Sequence, residues 1–210
     1  MLKPIMKITP LKQIILGLFA LFFSSQTIAN QSVIMEHIAT TILASSCSSC
    51  HGPNGVSSGP SIPSIAGIPK EYFLEIMLAF KLNQLPNSVM GDIAKAFSRD
   101  ELTQLADHFS KKRFVPSQQP FDPVLAKKGA KLHEEFCEGC HEKGGSSAKD
   151  KEISILAGQH LLYLRWTLDD FKRNKRRATR KMAKKMRKLL KLEGNAGLDA
   201  LAHYYASQQP

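Results

Sequence analysis

The sequence predicts an all-α protein made of two small tandem domains, and three observations predict it. The pattern C-x-x-C-H occurs twice, at Cys47 to His51 and at Cys137 to His141, with a register shift of 90 residues. Apolar residues recur at helical spacing through both halves, and no stretch alternates as a strand would. Three prolines, Pro116, Pro120 and Pro123, separate the two halves.

Residues 1–29 read as a secretory signal peptide. Lys3, Lys7 and Lys12 precede an apolar run from Ile14 to Phe23, and small polar residues follow, with cleavage expected after Ala29. A membrane anchor needs about 20 apolar residues, and this run is shorter. No later stretch is apolar enough to span a bilayer, so the mature chain is expected to lack a transmembrane segment and to reside in the periplasm. Removal of the leader takes the formal charge from +11 to +8.

The first domain, residues 30–115, carries helical runs at Val33 to Ser46, Lys70 to Lys81 and Arg99 to Phe109. Residues 116–123 form a linker, with Asp122 expected to cap the next helix and Pro123 to sit in its first turn. The second domain, residues 124–210, repeats the pattern at Val124 to Phe136, Leu161 to Arg173 and Gly197 to Ala206. The register holds downstream of the cysteine motif. Ile65-Ala66-Gly67, Tyr72 and Phe80-Lys81 meet Leu156-Ala157-Gly158, Tyr163 and Phe171-Lys172 at a shift of 91. Met90 meets Met182 at 92, and Leu105 to Phe109 meets Leu201 to Tyr205 at 96. Five matches in order indicate a duplication.

Each motif matches the pattern for covalent haem c attachment. Two thiols one turn apart, Cys47 with Cys50 and Cys137 with Cys140, reach the two vinyl groups on one haem edge. The following histidine, His51 or His141, then lies beneath the iron. Paired redox disulfides would leave both histidines unexplained. A zinc site of four cysteines would require two domains to converge on one ion. Two haem c groups are therefore expected. The repeat selects Met90 and Met182 as the sixth ligands, 39 and 41 residues after their histidines. Met186, four residues beyond Met182 on the same helical face, remains a rival. Met35 and Met77 read as core filler. His37, His108, His133, His160 and His203 have no histidine partner in the other repeat and read as surface or packing residues.

On these motifs the whole mature chain resembles the diheme c-type cytochromes, which include the cytochrome c4 family and the haem subunit of flavocytochrome c sulfide dehydrogenase. The stretches that carry the resemblance are CSSCHGPNGVSSGPSIPSIAG and VMGDIAKAFSRDELTQLADHF in the first half. In the second they are FDPVLAKKGAKLHEEFCEGCH, ILAGQHLLYL, KMAKKMRKLL and LAHYYASQ. The resemblance implies class I cytochrome c domains with His–Met iron. It implies a small residue where the terminal helices cross, which Gly129 fits, with Ala39 its counterpart. It also implies a backbone carbonyl near Pro60 that accepts from the ring of His51. Residues 144–153 contain no proline, so the orientation of His141 stays open.

The resemblance implies electron transfer, most like the haem subunit, with a flavoprotein oxidising sulfide and this chain removing the electrons. The alternative is a free carrier of the cytochrome c4 type that serves a terminal oxidase or reductase. In either case the chain is expected to be a carrier and not itself an enzyme. A diheme peroxidase would need one open iron position, against which the two matched methionines argue. Residues 30–115 carry seven basic and seven acidic side chains, whereas 116–210 carry nineteen and eleven. Twelve Lys or Arg lie within 172–191. An exported haem protein rarely meets nucleic acid, so that stretch reads as a solvated face or as a docking surface for an acidic redox partner.

Overall fold

A computed structural model of the chain describes residues 31, 34–86, 88–147, 150 and 153–209. The expected signal peptide lies outside them. The chain divides into two compact units, residues 1–42 and 43–210. In the first, residues 34–42 are helical and almost entirely exposed. Met35 is 62% exposed there, so it is not the core filler the sequence suggested.

In the second unit, residues 43–45 are helical and lead into Cys47, which caps the short helix α1 (Ser48–His51). Six longer helices follow: α2 (Lys70–Lys81), α3 (Ser88–Lys95), α4 (Arg99–Ser110), α5 (Pro123–Phe136), α6 (Leu161–Lys172) and α7 (Arg180–Ala206). Among the described residues there is no strand. The helix boundaries follow from local chemistry. In α4 a reciprocal capping box forms: the Glu101 amide donates to Ser98 Oγ (3.2 Å) and the Ser98 amide to Glu101 Oε2 (2.7 Å). At the start of α5, Asp122 accepts from the amides of Val124 and Leu125 at 2.7 and 3.1 Å, with Pro123 in the first turn as expected. Gly194, at φ 60 and ψ −152, interrupts the helical path of α7.

Apolar side chains collect in two separate cores. Phe73, Met77, Leu102, Leu105 and Phe109 centre the first, and Leu132, Phe136, Leu164, Leu189, Leu201 and Tyr205 the second. In the first half α2 packs on α3 and α4; in the second α5 and α6 pack on α7. The duplication extends to the backbone. Positive φ recurs at Asn54 and Gly144, Gly55 and Gly145, Gly67 and Gly158, and Asn83 and Asn174. Gly67 and Gly158 each turn the chain so that their amides reach the last helix of their half. The acceptors are the carbonyls of Phe109 (2.9 Å) and Tyr205 (2.8 Å). The linker is not loose. Ser117 donates its amide to the Gly158 carbonyl (2.8 Å), and the Gln119 side chain bonds the backbone of both Gln159 and Leu161.

Gly129 lies where α5 meets α7, as the resemblance implied. A Cβ there would overlap the Ala200 carbonyl and press on Tyr204 Cβ. Neither group can yield without separating the helices. Gly129→Val should therefore cost about 3 kcal/mol by over-packing, read from the denaturant midpoint of the haem-loaded protein. Gly139→Ala, where a Cβ meets nothing within 4 Å, should stay within about 0.5 kcal/mol of the parent.

Candidate haem attachment sites

The two cysteine motifs fold alike. In the first, the amides of Cys50 and His51 donate to the Cys47 carbonyl at 3.3 and 2.9 Å. In the second, those of Cys140 and His141 donate to the Cys137 carbonyl at 3.1 and 3.0 Å. All four thiols are free. Burial pushes the thiols of Cys47 and Cys137 above the ordinary cysteine value. Among the described residues no group of three His, Cys, Asp or Glu side chains is gathered as metal ligands.

Beyond each motif the chain makes a 3-10 turn, Pro53–Gly55 or Lys143–Gly145, and returns over the histidine. The return is fixed by paired bonds. The amides of Ile65 and Ala66 donate to the Gly55 carbonyl (2.7 and 3.0 Å), and those of Leu156 and Ala157 to the Gly145 carbonyl (2.9 and 3.1 Å). This brings the Pro63 carbonyl to 2.7 Å from His51 Nδ1 and the Ser154 carbonyl to 3.2 Å from His141 Nδ1. The acceptor near Pro60 that the resemblance implied is thus the Pro63 carbonyl, because the paired bonds draw residues 63–66 back across the ring. In the second half Ser154 does the same work without a proline. A carbonyl can only accept, so Nδ1 carries the proton in both rings and Nε2 presents its lone pair. Burial lowers the pKa of both rings, against the pull of the carbonyl bond, which keeps the imidazoles neutral.

Met90 and Met182 are each the third residue of their helix, α3 and α7. The amide of Met182 donates to the cap Thr179 Oγ1 at 3.2 Å. Met90 packs against the first core. In the second half it is Met186 that packs against the core, together with Cys137, while Met182 is half-buried. Thiol pairs, an imidazole with free Nε2 and a thioether at a matched helical position form a donor set that fits covalent haem c with His–Met iron.

Sequence reasoning missed a cluster beside the second motif. His133 is buried, the packing alternative of the two the sequence left open. Its Nε2–H donates to Glu138, and its Nδ1 accepts from the Tyr205 hydroxyl at 2.9 Å. The Tyr205 hydroxyl also contacts the thiol of Cys137. Glu138 further accepts from the amides of Lys143 (2.8 Å) and Gly144 (3.2 Å). A glutamate inside C-x-x-C-H, five residues after a histidine, was the available signal.

No family model matches the chain. Cytochrome c4 from Azotobacter vinelandii is 30% identical over 150 residues, which cover 63% of this chain and 70% of that protein. The cytochrome subunit of sulfide dehydrogenase from Chlorobaculum tepidum is 40% identical over 68 residues, covering 32% of this chain and 61% of the other. The crystal structure of reduced recombinant cytochrome c4 from Pseudomonas stutzeri matches with a TM-score of 0.68 at 26% identity, over 80% of this chain and 96% of that one.

The His133 bond, then the amides of Gly144 and Lys143, hold the Glu138 carboxyl below its ordinary pKa. A depressed acid stabilises the fold above its unfolded pKa, about 4.3, and loses that contribution as pH falls through the folded value. Glu138→Gln should therefore lower the melting temperature of the haem-loaded protein at pH 7. The gap from the parent should narrow as melts are repeated below about pH 4.

Proposed function

The chain belongs to the cytochrome c4 family, and we propose that it works as the haem subunit of a flavin-dependent sulfide dehydrogenase, taking electrons from a flavoprotein in the periplasm. It carries two covalent haem c groups and transfers electrons. The observation that carries the reading is the doubled site. Each half presents two thiols, a histidine ring held by a downstream carbonyl, and a methionine third in its helix. Two such sites in one chain suit the passage of electrons from a donor on one side to an acceptor on the other.

In this reading residues 1–29 are removed on export. Residues 30–115 and 124–210 are the two haem domains, joined by 116–123. Cys47, Cys50, His51 and Met90 hold the first haem, and Cys137, Cys140, His141 and Met182 the second. When bound, haem c supplies a one-electron iron couple. The chain's own residues tune it. The Nδ1–H bond to Pro63 or Ser154 fixes the ring and raises the basicity of Nε2, whereas the methionine thioether favours the reduced metal. Buried Phe73, Leu102 and Phe109 in one half, and Phe136, Leu164 and Leu189 in the other, keep water away. The substrate chemistry belongs to the partner. Among the described residues no helix is long and apolar enough to cross a membrane.

The second reading is a free carrier of the cytochrome c4 type. The match to cytochrome c4 covers 70% of that relative, and the match to the sulfide dehydrogenase subunit covers 61% of that one. Gentle purification from the native host decides between them. A co-eluting protein with a flavin spectrum supports the subunit, and a lone diheme cytochrome supports the carrier.

The partner's docking face is proposed on α7. Arg180, Lys181, Lys184, Arg187 and Lys191 are exposed and form no ion pair among the described residues. Lys185 and Lys188 are partly occupied. Lys185 donates to the Glu135 carbonyl (3.0 Å), Lys188 pairs with the Glu135 carboxylate (3.2 Å), and both ammonium groups lie over the Phe136 ring.

Two outcomes test these assignments. Met90→Ala and Met182→Ala should each remove about half of the weak long-red absorption of oxidised methionine-ligated haem. If Met186→Ala removes the second half instead, Met186 is the ligand. Charge reversal at Lys181, Lys184 and Lys191 should slow association with an acidic redox partner at low salt and leave the haem spectrum unchanged. The effect should fade as the Debye length contracts from about 10 Å at 0.1 M to about 3 Å at 1 M. The same reversal at Lys70, Lys81 and Lys95 should matter much less.

A further inference from the structure

One buried side chain of the second half reaches the histidine site of the first. Gln159 exchanges two hydrogen bonds with Ser64, ninety-five positions away. The Ser64 amide donates to Gln159 Oε1 and Gln159 Nε2 donates to the Ser64 carbonyl, both at 2.9 Å. Gln159 is 5% exposed and Ser64 2%, so water does not compete for these groups. His160 extends the contact. Its Nε2 lies 3.1 Å from the Ser57 carbonyl, and the Ser57 amide donates to Ser64 Oγ (3.0 Å).

The Ser64 N–H belongs to the same peptide group as the Pro63 carbonyl, and that carbonyl accepts from His51 Nδ1 at 2.7 Å. The bonds therefore run in series from the His51 ring through one peptide to Gln159. Hydrogen bonds in such a chain polarise one another. An amide that donates through its N–H has a more negative oxygen, so Gln159 makes the Pro63 carbonyl a better acceptor. A better acceptor gives the His51 ring more imidazolate character and makes Nε2 a stronger donor to oxidised iron.

We propose that Gln159 is a positioning and tuning residue for the haem of the other half, holding down its potential by polarising the peptide that accepts from His51. The proposal rests on His51 being the axial ligand. Residues of the second half thereby set the driving force for electron exchange between the two haems, not only the contact between domains.

The test is potentiometric titration of the haem-loaded protein, followed haem by haem through the shifted NMR signals of the bound methionine methyls. Met90→Ala identifies the signal of the first half. Gln159→Leu should move the His51 haem three- to tenfold toward the reduced form, tenfold being about 59 mV for one electron. The other haem should stay in place. If that variant fails to retain both haems, Gln159→Met carries the same expectation. An equal shift at both haems, a shift only at the His141 haem, or none overturns the proposal. Failure of the ligand assignment shows separately, as the lack of two methionine signals in the parent protein.

Discussion

The bond from each motif histidine to a carbonyl downstream is the constraint on which the rest of the structure depends. A ring free to rotate about its side-chain torsions would offer Nε2 in many directions; a ring tied through Nδ1–H offers it in one. To deliver the carbonyl, the chain must leave the motif, turn sharply and come back within about a dozen residues. The 3-10 turn, its positive-φ residues and the paired amide bonds to Gly55 or Gly145 are the means. Gly67 and Gly158 then tie the returning segment to the last helix of each half. The last helix contributes several buried residues to each core, so the orientation of a single imidazole is anchored in the bulk of its domain. The proximal bond is 0.5 Å shorter in the first half than in the second, 2.7 against 3.2 Å, although the surrounding turns match closely.

Much of this was legible in the sequence because duplication supplies an internal control. Cysteines, histidines and methionines that recur in register stand out from those that do not, and the helices at 70–81 and 99–109 follow from apolar spacing alone. The cap at Asp122 was readable too, since it rests on the hydrogen-bonding capacity of one residue, whereas the crossing at Gly129 came only with the family resemblance. The same reliance on repetition hid other features. Gln159 aligns with Ile68, His160 with Pro69, and His133 with Leu43, so none is echoed in the other half. Their partners lie up to a hundred and three positions away, and only the folded chain brings the distant ones together. The resemblance placed the acceptor only near Pro60, because a proline-rich loop does not say which peptide faces the ring.

Charge follows another logic. The excess of lysine and arginine on α7 is not uniformly available, because Glu135 and Phe136 of α5 engage two of the seven basic residues between 180 and 191. Such contacts let aliphatic stems cover apolar surface while the charged ends stay near water. What remains exposed is a set of cations beginning at the same helical turn that carries Met182. A partner drawn to that face would arrive beside the proposed axial methionine, not at the far side of the domain.

The pinned linker has a consequence for rate. Electron tunnelling falls off exponentially with separation, so two haem domains joined by a slack tether would exchange electrons only during close encounters, and viscosity or crowding would gate the exchange. Here Ser117 and Gln119 bind the connecting segment to the second half, while Gln159 and His160 grip the first. Contacts on both sides of the connection thus oppose separation of the two halves and shorten the path an electron must cross.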